Sequence, residues 1–235
     1  LSSITGGGYD RLSGTSMACP NLAGVVVLLR QYVVENFPEI AEDDVAVNAM
    51  VNRLMMSTAD IALNVNGQPY AVRKQGAGLA NLMDSINTDA IVITYDEKGN
   101  EMDKTKLELG DDPSKAGVYE MTFAVKNFGS STLSYNIGAH VFTEGVSDTK
   151  TAAGKTTVTE QAYPLTGATI TVEGGAVSGN TVTVGAGKTE KVKITVKLSD
   201  ADKKYLNDSF ENGMYVEGYI TLDAASRVDL NVPYL

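Results

Sequence analysis

The chain has 235 residues (24.9 kDa), is 43% hydrophobic and 20% charged, and carries 19 Lys and Arg against 29 Asp and Glu. That length suits one large domain or two of ordinary size, and a formal charge of −10 disfavours sequence-independent binding to phosphate backbones or anionic lipid, so no nucleic-acid partner is expected. One cysteine, Cys19, excludes an internal disulfide and a multi-Cys zinc site, while one histidine, His140, leaves a single candidate for any imidazole-dependent step.

Composition shifts near residue 90. Residues 1–90 hold five of the eight Met and four Thr; residues 91–235 hold 18 Thr, 13 of the 14 Lys and eight of the 11 Tyr. Met, Leu and Ala favour helix, and Thr and Tyr favour strand. Residues 1–90 therefore read as helical and residues 91–235 as sheet. A buried helix is predicted from Ser16 to Asn36, with Val25, Leu28, Leu29, Tyr32 and Val33 at helical spacing and Val26 and Val27 widening the apolar surface nearly all round. Pro20 fits its first turn, and Asn36-Phe37-Pro38 ends it. A second helix is predicted from Asp43 to Ser57, its stripe being Val47, Met50, Val51, Leu54 and Met55, with Glu42, Asp43 and Asp44 at the positive end of its dipole. Gln75-Gly76-Ala77-Gly78 leads into a short helix carrying Leu79, Leu82, Met83 and Ile86. Alternation then predicts strands at 119–125, 133–142, 168–172, 181–184, 190–198, 215–222 and 228–232, with a turn at Asn127-Phe128-Gly129. About seven short strands in this span point to an antiparallel sandwich. No apolar run approaches the ~20 residues of a membrane span, so none is expected. Opening on Leu1 without Met or a signal peptide, the chain reads as a processed or excised piece.

One segment carries a strong chemical signal: Ser13-Gly14-Thr15-Ser16-Met17-Ala18-Cys19-Pro20-Asn21-Leu22-Ala23-Gly24. Gly14 would let a substrate carbonyl approach the backbone. Ser16 would sit in the first helical turn, where unpaired N–H groups and the dipole can stabilise an oxyanion. Met17 and Ala18 would begin the buried face and fix the hydroxyl above it.

Gly14-Thr15-Ser16-Met17-Ala18-x-Pro20 followed by Ala23-Gly24 resembles the nucleophile motif of the subtilisin-like serine proteases. Gln75-Gly76-Ala77-Gly78-Leu79 is similar to a Gly-rich signature of the larger cell-envelope, lactocepin-like subtilases, in which a fibronectin type III-like sandwich follows the protease domain. Lys126-Asn127-Phe128-Gly129 and Val216-Glu217-Gly218-Tyr219-Ile220 with Val232-Pro233-Tyr234 resemble that sandwich. The resemblance implies an α/β fragment, the C-terminal helices of a three-layer subtilase domain, at residues 1–90, and an all-β sandwich at 91–235. It implies a secreted or cell-envelope serine endopeptidase acting on proteins or peptides, with Ser16 as nucleophile and Gly14 and Thr15 bordering the substrate carbonyl. Asn21 replaces the family's usual His, a helix residue rather than the base. In the family order Asp, His, Ser, the acid and base precede Ser16 and lie upstream of Leu1, as does the oxyanion-hole Asn. The isolated chain is therefore expected to be inert, and the apolar surface of its first helix to be covered by the upstream fragment of its own catalytic domain, by a swapped symmetry mate, or through a rearrangement of residues 1–90. The resemblance implies no cofactor in this chain and admits calcium in the longer protein.

Other readings stand beside this one. Ser16 followed by His140 fits the order of an α/β-hydrolase-type esterase, although Ala18 stands where that motif needs Gly. Residues 91–235 fit a non-catalytic substrate-positioning or interaction module equally well. Ser16 alone could be a helix N-cap. Cys19 reads as a small buried residue, His140 as a sheet residue, and Asp96-Glu97-Lys98-Gly99-Asn100 as a turn. The acids Asp200, Asp202, Asp208 and Glu211 lack calcium-ligand spacing and read as a solvated face. Asn207-Asp208-Ser209 matches a glycosylation acceptor through a weak three-residue pattern.

Overall fold

The computed structural model describes residues 1–147, 150–210 and 213–235. Packing divides them into two compact units, residues 1–51 and 52–235.

The first unit opens with a small antiparallel hairpin of β1 (Ser2–Ile4) and β2 (Gly8–Asp10), turned by Gly6 and Gly7, both at positive φ. Helix α1 (Thr15–Asn36) follows, with Pro20 in its early turns, and α2 (Asp44–Ser57) begins in this unit and crosses into the next. Asp43 caps α2: its Oδ1 accepts from the N–H groups of Val45 and Ala46 at 2.9 and 3.1 Å, which satisfies two of the orphan donors at that end. Arg30 of α1 donates to Asp44 at 2.5 Å and to Asn48 at 3.1 Å. Leu29, Val33, Phe37, Val47, Met50 and Val51 are the buried apolar residues of this unit.

Only two residues of the predicted α1 stripe, Leu29 and Val33, are fully buried. Val25 and Tyr32 are half-buried, whereas Leu28 is 51% and Val27 66% exposed, and Leu22 and Val34 are exposed as well. The expectation of a buried helix is corrected to this extent: its last third is covered and its beginning is bare. By length and composition alone α1 is long and apolar enough to cross a bilayer, a criterion that core helices and segments near an N-terminus also meet. Helical geometry accommodates Pro20, Asn21 and Gly24 within that length, which a count of consecutive apolar residues does not.

The second unit is built on a two-sheet antiparallel sandwich. One sheet has the order β3 (Ala90–Thr94), β4 (Val118–Asn127), β10 (Thr189–Lys197), β7 (Thr169–Glu173). The other has the order β12 (Leu230–Tyr234), β11 (Glu217–Ala224), β5 (Leu133–Val146), β9 (Thr181–Val184), β8 (Val177–Ser178), with β6 (Val158–Pro164) added to the far end of β5. Period-two alternation sends Met121, Phe123, Val125, Val192, Ile194 and Val196 inward from the first sheet. Tyr135, Ile137, Val182, Ile220, Leu222 and Val232 meet them from the second in one apolar core. The predicted strands are present with ends shifted by a few residues; β3, β6 and β8 were not foreseen.

Residues 52–90 pack with the sandwich. Strand β3 is buried along its whole length, and hydroxyls satisfy its outer edge: Val92 N donates to Ser57 Oγ at 3.0 Å, and Thr105 Oγ1 donates to Val92 O at 3.1 Å. The short helix predicted from Leu79 begins later, as α4 (Leu82–Asn87), because Asn81 caps it by accepting from Asp84 N; Leu79 instead bridges to Asp60, and both Leu79 and Met83 are exposed. Between Asp60 and Leu79, α3 (Val72–Gln75) adds one turn. Helix α5 (Asp200–Ser209) was missed, although Ser199 and Asp202 spell a reciprocal capping box.

Candidate active site

Gly14 caps the N-terminus of α1. Its φ of 147° and ψ of 167° lie where a side chain is disfavoured, and a Cβ there would meet only Met17 Sδ, at 3.9 Å, so conformation rather than space selects glycine. The Gly14 carbonyl accepts from Met17 N at 3.0 Å and from Ala18 N at 3.2 Å. No side chain caps this end and no acid lies in the first turn. The N–H groups of Thr15 and Ser16, which have no intrahelical partner by position, therefore stand at an unneutralised positive dipole end. Ser16 is in the first turn and exposed, with no side-chain hydrogen bond among the described residues; the cap itself is Gly14. Such a turn can hold an anion or a developing oxyanion beside a hydroxyl.

Two expectations around it are corrected. Cys19 is exposed rather than buried, and Ala18 is exposed with Met17 half-buried, because nothing among the described residues covers the first turns of α1. His140 lies on β5 in the other unit, exposed, opposite Tyr219, and its carbonyl accepts from Tyr234 Oη at 2.8 Å.

The Gly-rich signature has a structural task. Gln75 is stitched to the backbone on both sides: its Nε2 donates to Ala62 O at 3.1 Å and Tyr70 O at 2.8 Å, and its Oε1 accepts from Ala62 N at 2.8 Å. Gly78, at φ 127°, lies so close to the Asp60 carbonyl that a Cβ would collide with it, while Asp60 and Leu79 exchange backbone bonds of 2.8 and 2.9 Å. This strap lies on the outer face of the second sheet, where Val72, Phe142, Ala162 and Tyr219 form a separate apolar cluster and Tyr219 Oη donates to Gly76 O at 2.7 Å.

Beside that cluster is a charged group that sequence reasoning did not single out. Glu217 on β11 is fully buried; its Oε2 accepts from Arg73 N at 3.2 Å, and its Oε1 has no hydrogen-bond donor, with Arg73 Nη2 at 3.8 Å. Arg73 instead pairs with Glu144 at 2.6 Å and lies over the Tyr215 ring at 4.5 Å. Burial, with a small contribution from Glu144, pushes the Glu217 carboxyl above its ordinary range, against the lowering effect of Arg73 and of the Val72 backbone N–H. The same burial, and secondarily Glu217 itself, pushes the Tyr219 and Tyr234 phenols up. A glutamate inside the apolar run from Val216 to Ile220 was the available signal.

The remaining candidates resolve locally. Asp96 closes a turn, accepting from Lys98 N, Asn100 N and Asn100 Nδ2, and the Asn100 side-chain bond is the main cause holding its carboxyl below the usual range. Asp202 is buried in the capping box, Asp200 pairs with Lys203 at 2.9 Å, and Asp208 pairs with Lys204. Glu211 lies outside the described residues, among which no metal-holding group of His, Cys, Asp or Glu is found. Asn207 is on α5, its amide donating to Lys203 O at 2.8 Å.

Among known proteins, residues 1–78 match the Subtilase family and residues 108–235 match the Fn3-like domain. The chain is 29% identical over 133 residues to the minor extracellular protease Vpr of Bacillus subtilis, covering 53% of this chain and 15% of that protein. It is 28% identical over 128 residues to C5a peptidase of Streptococcus pyogenes, covering 54% and 10%. It is 27% identical over 235 residues to PII-type proteinase of Lacticaseibacillus paracasei, covering 97% and 11%. The chain thus spans between 10% and 15% of the length of these relatives.

Proposed function

We propose that a longer protein containing this chain, which belongs to the Fn3-like domain family over residues 108–235 and matches the Subtilase family over residues 1–78, is a secreted or cell-envelope serine endopeptidase. In this reading Ser16 attacks the scissile carbonyl of a protein or peptide substrate and becomes acylated. The imidazole that takes its proton and the carboxylate that orients that imidazole come from outside these 235 residues. The Ser16 N–H contributes to the oxyanion hole, and Gly14 and Thr15 border the substrate. The observation that carries this is the bare N-terminus of α1, where a serine hydroxyl stands beside first-turn N–H groups that no cap or acid occupies. The names of the relatives, all proteases or peptidases, support it.

The exposed Leu22, Val27, Leu28 and Val34 fit a surface that the rest of the catalytic domain covers, and residue 90 fits the boundary between catalytic part and sandwich, since it falls between the two family matches. The family resemblance admits calcium in the longer protein; in this chain Asp200, Asp202 and Asp208 are engaged in caps and ion pairs. The sandwich serves as a non-catalytic positioning module, a role supported by the stitched strap of Gln75 and Gly78.

A fluorophosphonate probe tests the assignment. The 235-residue chain is expected to remain unlabelled, whereas the protein extended by its native upstream sequence labels stoichiometrically at Ser16 and loses the label on Ser16→Ala. Stoichiometric labelling of the 235-residue chain would overturn the external base, and an unlabelled but folded extended protein would overturn the nucleophile.

A further inference from the structure

The Arg73 cluster holds two carboxylates against one guanidinium. Arg73 Nη2 is committed to Glu144 at 2.6 Å, which leaves Glu217 with the Arg73 backbone N–H on one oxygen and no donor on the other, in a side chain with 0% exposure. A buried carboxylate oxygen without a donor is costly, and so is a surplus negative charge in a low-dielectric site. The charged groups facing Glu217 are Arg73 of α3 and Glu144 of β5; from β12 and from its own strand the ionisable neighbours are the phenols of Tyr234 and Tyr219. No second cation offsets the surplus among these groups, so a single proton would.

We propose that Arg73, Glu144 and Glu217 form a pH-sensitive latch, which clamps the α3 strap to the sandwich when one proton rests on the carboxylate pair and loosens when that proton leaves. The burial that raises the Glu217 carboxyl sets the direction. A carboxyl that holds its proton more tightly folded than unfolded contributes stability that is complete below the ordinary glutamate range, about 4.3. That contribution is lost as pH rises through the folded-state value. Most carboxylates in ion pairs act in the opposite sense, so the slope identifies the group. The strap is the element that yields: α3 is one turn long, and Arg73 links it to β5 and β11 together. This inference concerns the sandwich unit alone and stands whether or not Ser16 is acylated.

Amide exchange in the 235-residue chain tests it, read at Gly76, whose N–H donates to Val72 O at 2.7 Å, and at Arg73, and corrected for the intrinsic rate. Protection is expected to fall as pH rises above the ordinary glutamate range, about 4.3, by up to about tenfold per pH unit for a one-proton linkage. Glu217→Gln removes the titration, so its profile should be flat and its protection at pH 8 no lower than that of the native chain. A flat native profile, or a Glu217→Gln profile with the native slope, overturns the latch. Should Glu217→Gln fail to fold, Glu144→Gln decides the matter. Removing that charge moves the window to lower pH, and an unmoved window overturns the proposal.

Discussion

The beginning of α1 and the closing strands of the sandwich treat their polar groups in opposite ways. At α1 the serine hydroxyl and the first-turn N–H groups stand open, with apolar Leu22, Val27 and Leu28 exposed along the same helix. In the sandwich even close contacts between backbone and side chain are satisfied: Tyr234 Oη donates to the His140 carbonyl, Asn127 Nδ2 donates to Ser131 O, Val184 O and Gly185 O, and the strap amide of Gln75 is fully used. The difference teaches that groups left unsatisfied mark where substrate or further chain belongs, whereas groups that are fully satisfied hold the scaffold. Among the described residues, the exceptions inside the scaffold are Asn64 Nδ2, Asn231 Oδ1 and Glu217 Oε1, and of these only Glu217 is titratable, which is why it suggests a switch.

Substitutions can break or sharpen that contrast. The largest effect is expected at Gly218, where a Cβ would run into the His140 carbonyl and the Tyr234 hydroxyl. Gly218→Ala should destabilise the sandwich unit by about 3 kcal/mol in a urea melt, near the upper end of overpacking costs, and a loss near zero would mean that β5 and β12 are free to move apart. Next comes Gln75→Ala, which strips partners from Ala62 N, Ala62 O and Tyr70 O. A loss of about 2 kcal/mol is expected, concentrated in exchange protection of the strap rather than of the sandwich core. The smallest belongs to Ser16→Ala, which should change thermal stability by less than about 0.5 kcal/mol because the hydroxyl is exposed and touches nothing that holds the fold. A large loss there would make Ser16 a structural residue and end the contrast.

Much of this was legible in residue order. Periodicity of 3.6 located α1 and α2, period two located most of the strands, and Gly14 to Pro20 singled out the serine. What escaped detection did so for physical reasons. Strand β3 reads as a continuous apolar run, which alternation cannot recognise, because all five of its residues are buried. Helix α5 is short and mostly polar, with Leu206 its one buried apolar residue, and the cap at Ser199 and Asp202 marked its start. The Leu79 face failed because Asn81 starts the helix later and Leu79 is drawn into a bridge with Asp60.

Order along the chain was enough to establish a helical part, an antiparallel sandwich and a serine at the head of a helix, because those depend on periodicity and on neighbours a few residues apart. The burial of Glu217, its half-empty hydrogen bonding and the shared use of Arg73 depend on residues 144 positions apart in sequence. No local pattern encodes them. They arise because the α3 turn lies against β5 and β11, where two carboxylates compete for one guanidinium and a buried apolar face excludes the water that would otherwise screen them.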